Sequence, residues 1–217
     1  VTIDPAAAGE SAAETTFEDR RSAVRQLRRD SVAQLIERTA VDLFVDRGFA
    51  EVSVDDVSAA AGISQRTFFR YFGSKDDVLL GYRRRLDQRL LEALQARPID
   101  EKPVAALRRA FLDTSHVPPG DREAVLVRAR AVASAPALLA RSRGEQMGEI
   151  DALATELASR MRTGIGDNRA RLVAAVMSAA AVTAWDIWVE GTGLDDPATH
   201  IAAALDLVER GLGDLDR

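Results

Sequence analysis

The chain contains no cysteine, which excludes disulfides, thiolate metal sites and cysteine nucleophiles. Histidine occurs twice, and only 5% of the 217 residues are aromatic. No H-E-x-x-H pair, glycine-rich phosphate loop or G-x-S-x-G elbow occurs. The acidic pairs Asp55-Asp56 and Asp76-Asp77 fall where first helical turns are expected, and there they suit the helix dipole. These absences speak against an enzyme, and neither a metal nor a cofactor is expected. No run approaches the length of a membrane span, and the N-terminus lacks the basic start, apolar stretch and small-residue cleavage site of a signal peptide. The expectation is a cytoplasmic protein with no membrane partner. No stretch reads as a strand.

What remains is ordinary for a globular protein: 47% hydrophobic and 29% charged residues, in a chain long enough to bury a core as one large domain or two small ones. The net charge of −5 is unevenly spread. Residues 20–97 carry 15 Lys+Arg against 11 Asp+Glu, whereas the flanking segments are both acidic. Positive charge confined to one segment is the footprint of a nucleic-acid binder.

Within that segment the stretch from Ser53 to Lys75 is the most informative. Ser53 and Asp56 have the spacing of a capping box, Val54, Val57 and Ala61 share a face, and Gly62 stands where a left-handed residue ends a helix. Ser64 then caps a second helix, Gln65–Phe72, on which Phe68 and Phe72 face a core at i, i+4. Gln65, Arg66, Thr67, Phe69, Arg70 and Tyr71 point elsewhere. Gln pairs bidentately with adenine and Arg with guanine, while hydroxyls reach bases or phosphates. Lys75, in the first turn of the next helix, suits a phosphate contact. The pattern reads as a helix-turn-helix whose second helix reads double-stranded DNA. The plainer alternative is a helical hairpin with a polar solvent face.

From Ile36 to Leu79 the chain resembles the TetR family of bacterial regulators. The matching positions are Ile36, Ala40, Leu43, Phe44, Gly48-Phe49, Ser53-Val54, Val57, Ala61-Gly62-Ile63-Ser64, Thr67, Phe72 and Ser74-Lys75. Arg66 stands where the family often has Gly, and Phe69 replaces a frequent Tyr, removing a hydroxyl that would bond a phosphate. The resemblance implies an all-α fold of about nine helices. An N-terminal three-helix DNA-binding domain would precede a C-terminal helical domain for ligand binding and dimerisation.

The organisation expected along the chain is a disordered tail (1–19), a helix-turn-helix domain with a basic arm (20–73), a connecting helix (74–97) and an effector and dimerisation domain (98–217). Of the arm residues Arg20, Arg21, Arg25, Arg28 and Arg29, the last two are candidates for phosphate or minor-groove contact. The connecting helix, Ser74–Ala96, carries Val78, Leu79, Tyr82, Leu86, Leu90 and Leu94 on one stripe, with Arg83, Arg84, Arg85 and Arg89 on a solvated face and Pro98 as the boundary. Further helices are expected at Pro103–Thr114, Arg122–Ser134 capped by Asp121, Pro136–Arg162, Arg169–Glu190 and Ala198–Leu212.

Phe111, His116, Met147, Trp185 and Trp188 are candidate linings of a pocket for a small apolar effector. Ala174, Ser178, Ala181, Ile201, Ala204, Leu205 and Val208 make a small-residue, apolar surface suited to a four-helix homodimer interface. The half from Ala135 to Leu212, with its two tryptophans, resembles the C-terminal domain of the mycofactocin-regulator subgroup. That resemblance implies a long apolar effector such as an acyl thioester. The function expected is a repressor that binds a near-palindromic operator and is released by its effector. The alternative is a helical lipid carrier or structural protein that does not bind DNA.

Overall fold

The computed structural model describes residues 29–162 and 168–211. The expected tail, Arg20, Arg21, Arg25 and Arg28 of the arm, most of the loop before α8, and Leu212 lie outside the described residues. Among the described residues are nine α-helices, one 3-10 turn and no strand. The chain divides after Gly73 into two compact units.

In the first unit, α1 (residues 29–47) buries Ile36, Ala40, Val41 and Phe44 on one face. It stops at Gly48, whose φ of 83° is one a glycine adopts without steric cost. Phe49 follows and meets Phe44 edge-on, with ring centroids 5.0 Å apart. Helix α2 (Val54–Ala60) opens with the capping box in full. The Ser53 hydroxyl accepts from the Asp56 amide at 3.1 Å, and the Asp56 carboxylate accepts from the Ser53 amide at 2.9 Å. Gly62, at φ 67°, reverses the chain and lets the Ile63 amide reach back to the Ser58 carbonyl at 2.9 Å. Helix α3 (Gln65–Tyr71) follows, N-capped by Ser64.

The second unit holds α4 (Lys75–Gln95), α5 (Pro103–Ser115), the 3-10 turn Pro119–Asp121, α6 (Arg122–Ser134), α7 (Pro136–Met161), α8 (Arg169–Glu190) and α9 (Pro197–Arg210). Helix α4 packs with α5, α6 and α7, so the connecting helix is part of this unit and Pro98 is an internal bend. Leu90 and Leu94 of α4 join Leu107 and Phe111 of α5, Leu153 and Leu157 of α7, Ala174 and Met177 of α8, and Ile201 and Leu205 of α9 in one core. By length and composition α8 could cross a membrane, contrary to the sequence expectation. Here it is a core helix laid between α7 and α9.

Arginine side chains tie helix ends together. Arg160 of α7 donates to the carbonyls of Leu94 (2.7 Å), Arg97 (3.0 Å) and Pro98 (3.0 Å), closing the C-terminal end of α4. Arg130 of α6 does the same for Val189 and Gly191 at the end of α8. The expected Asp121 cap of α6 does not form, because the 3-10 turn leaves its side chain without a capping bond. Asp196 does cap α9, accepting from the Ala198 amide at 3.1 Å.

Candidate nucleic-acid interface and effector cavity

Helix α3 is short, and three features hold it. Ser64 accepts from the Thr67 amide at 3.1 Å. Phe68 is fully buried, and Phe72 nearly so, with the two rings 5.8 Å apart. With those two side chains inward, Gln65, Arg66, Phe69 and Arg70 are exposed and Thr67 and Tyr71 are half-buried. Arg70 lies over the Tyr71 ring, 5.1 Å from its centroid. Arg66 makes no hydrogen bond or ion pair among the described residues, so its fork of donors is available to a ligand.

Two neighbours had no sequence signal. The Gln65 amide donates to Asp55 of α2, a pairing across the turn between residues ten apart, so Asp55 fixes the orientation of the carboxamide. Ser53, expected at the DNA surface, is exposed, but both its hydroxyl and its amide are engaged with Asp56. The Ser53 hydroxyl and amide, with Arg47, hold the Asp56 carboxyl down at about 2. Arg29 is exposed at the start of α1. Lys75 is half-buried at the first position of α4, in the second unit.

The second unit encloses a cavity of about 160 Å³ walled by α4, α5, α6, α7, α8 and α9. Phe111 and Trp185 line it as expected. Three other candidates do not. His116 turns outward and pairs with Asp196, Met147 is 54% exposed on the outer side of α7, and Trp188 is buried in a satellite cluster with its indole N–H on the Asp195 carbonyl at 3.0 Å. The rest of the apolar wall comes largely from α4 and α6, including Leu79, Leu86, Leu90, Val125 and Val132.

Arg83, expected on a solvated face, is instead drawn into this wall. It donates to Asp87 at 2.7 Å and to Glu149 of α7 at 2.8 Å. Burial pushes the Asp87 carboxyl up to about 6, against the pull of Arg83 and with a further push from Glu149. Arg128, Arg143 and Asp186 also face the cavity, and Arg128 lies 4.3 Å from the centre of the Tyr82 ring.

The small-residue face expected at a dimer interface is rotated from the true outer surface. Ala174, Ser178, Ala181, Ile201 and Leu205 are buried in the chain's own core, while Ala204 and Val208 are half-buried. The outward stripe of α8 is instead Leu172, Val176, Ala179, Thr183 and Ile187, with Leu172 63% and Ile187 55% exposed.

Residues 36–82 match the profile of the bacterial regulatory proteins of the tetR family, and residues 101–213 that of the MftR C-terminal domain. The transcriptional regulator TcmR of Streptomyces glaucescens is 34% identical over 193 residues, covering 84% of each chain. MftR of Mycobacterium tuberculosis, named for regulation of mycofactocin biosynthesis, is 32% identical over 195 residues, covering 88% of this chain and 96% of its own. Among solved structures, the Thermus thermophilus TetR-family repressor FadR, in complex with lauroyl-CoA, aligns with a TM-score of 0.56 at 25% identity, over 83% of this chain and 94% of that one. A TetR-family regulator from Syntrophomonas wolfei shares the fold, with a TM-score of 0.59 at 17% identity over 82% of this chain and 92% of its own. The capped helix pair, the all-helical second unit and these full-length relatives place the chain in the TetR family of bacterial DNA-binding transcriptional regulators, in the branch with an MftR-type C-terminal domain.

Proposed function

We propose that the protein is a homodimeric repressor that binds a near-palindromic operator in the cytoplasm and releases it when a small molecule enters the cavity of the second unit. The observation that carries this reading is the split of α3 into an inward pair, Phe68 and Phe72, and an outward set of Gln65, Arg66, Phe69 and Arg70. An apolar anchor fixes the helix while the outward groups read base edges and phosphates. Arg29 and Lys75 act as phosphate contacts, and Thr67 and Tyr71 flank the reading face.

A helix of two turns spans too few base pairs to select a genomic site alone, and twofold pairing doubles the site. The outward stripe of α8 supports such pairing. Leu172, Val176 and Ile187 are large apolar side chains on one face of a helix whose other face is already packed, and an isologous contact would cover them in both copies.

Coupling to ligand would run through α4. This helix follows Gly73 directly in the chain, and Leu79, Tyr82, Arg83, Leu86, Asp87 and Leu90 along it line the cavity. Arg160 pins its far end. A ligand that binds better when α4 is tilted would alter the separation of the two recognition helices, to the extent of its differential affinity for the two states. The lauroyl-CoA held by the FadR neighbour supports a ligand with an apolar body. Footprinting on DNA upstream of the protein's own gene tests the reading. Two protected half-sites about one helical turn apart, roughly 34–36 Å centre to centre, are expected. A single unpaired protected segment contradicts the dimer, and no protection at any sequence contradicts the regulator.

A further inference from the structure

The polar part of the cavity wall is unbalanced. Arg83 is shared between Asp87, one turn further along α4, and Glu149 of α7, at 2.7 and 2.8 Å. The two carboxyls also stand within hydrogen-bonding reach of each other. One guanidinium therefore serves two acids, leaving this trio one negative charge in excess when both are ionised. The other charges on the wall do not make up the difference. Arg143 acts on Asp186, and Arg128 lies over the Tyr82 ring. A second, independent feature lies on the same wall. Ser178 is 1% exposed, lines the cavity, and its hydroxyl has no hydrogen-bond partner among the described residues. A buried hydroxyl without a partner costs stability unless a ligand or water satisfies it.

Resting on the reading of this cavity as the effector site, we propose that its ligand is an organic amine, with an ammonium head against Asp87 and Glu149 and an apolar body against Leu90, Phe111 and Trp185. A buried ammonium needs a charged partner and further acceptors, and two carboxylates with one shared arginine supply both. Bonds of this kind are charge-assisted and stronger than neutral ones. The Ser178 hydroxyl offers a further acceptor or donor to the ligand. Burial already raises Asp87 to about 6, so an incoming cation would favour its ionised form, whereas an anionic head would meet the excess negative charge.

The test is calorimetric titration of the full chain with octylamine, octanol, octanoate and lauroyl-CoA, with tryptophan fluorescence reporting contact at Trp185. Octylamine is expected to bind at least about tenfold tighter than octanoate, with octanol between them. Glu149→Gln and Asp87→Asn should each shrink that preference several-fold while leaving octanol binding near its wild-type value. If octanol or lauroyl-CoA binds and octylamine holds no advantage, the amine assignment is wrong and the cavity remains an effector site. If octylamine leads but neither variant narrows its lead, the two carboxylates do not seat the head and the proposal falls. If none of the four binds or perturbs the tryptophans, the effector-site reading itself fails. Should one variant not fold, the other variant and the wild-type series still decide.

Discussion

Replacing Arg160 by Met should destabilise the second unit by about 2–4 kcal/mol. The guanidinium donates to Glu156 at 2.9 Å and to the carbonyls of Leu94, Pro98 and Arg97 at 2.7, 3.0 and 3.0 Å, with a longer contact to Gln95 at 3.4 Å. Each hydrogen bond to a charged donor contributes about 1.5–3 kcal/mol, and a simple sum would exceed the whole stability of an ordinary domain, about 5–15 kcal/mol. The sum overstates the loss for two reasons. Only the Leu94 contact is buried, so the other carbonyls and the Glu156 carboxylate can turn to water. Methionine also removes the cost of holding a charge inside while keeping most of the side-chain volume. What remains is one orphaned carbonyl at the end of α4, at about 1–3 kcal/mol, plus part of the bonds at the others. Both tryptophans lie in the second unit, so urea unfolding followed by their fluorescence reads that unit directly. A shift in midpoint at constant slope is expected. A loss below about 0.5 kcal/mol would mean that water satisfies the end of α4 unaided, and Arg160 would no longer be the pin on which tilting of that helix depends.

Three further outcomes follow from the site geometry. Ile187→Asp places a charge in the middle of the exposed stripe of α8 and should convert a dimer to a monomer in sedimentation, with operator affinity falling at least about a hundredfold, since two half-sites no longer act together. Asp55→Ala frees the Gln65 carboxamide and removes a negative charge beside α3. Competition with non-cognate DNA should then show non-specific binding rising several-fold and the specificity ratio falling, while Asp55→Asn, which keeps an acceptor, should retain the ratio. In the folded chain Asp87 holds its proton up to about 6 against an ordinary 3.8, so between those values the native state binds more protons than the unfolded one. Stability should therefore fall as pH rises from about 4 to 6. Asp87→Asn, which leaves Arg83, Glu149, Arg143 and Asp186 in place, should flatten that fall when unfolding is measured across the range.

Much of the fold was legible because its signals are local. The capping box of Ser53 and Asp56, the glycine stops at 48 and 62, and the phenylalanine pair on α3 each depend on residues a few positions apart. The helices Arg122–Ser134 and Arg169–Glu190 run between the residues the sequence suggested, because proline and glycine punctuate both ends of that region. What was not legible depended on distant residues or on which way an alanine-rich helix turns. Arg83 looks like one of a run of solvated arginines until Glu149, 66 residues away, is known to face it. On α8 small residues occur on every side, so periodicity did not separate the inward Ala174 and Ala181 from the outward Leu172 and Ile187. Met147 and His116 were singled out by residue type in a chain poor in such side chains, and type does not say which side of a helix faces a cavity.

The claim on which the rest depends is that the outward side chains of α3 read a duplex. Binding of the wild-type protein and Arg66→Ala to DNA from the upstream region of the protein's gene, measured by fluorescence anisotropy across a range of salt concentrations, tests it most directly. The account predicts a salt-dependent specific complex for the wild type and a loss of about 1–3 kcal/mol with relaxed specificity for the variant. Equal binding by the two proteins, or no salt-dependent specific complex at all, would contradict it.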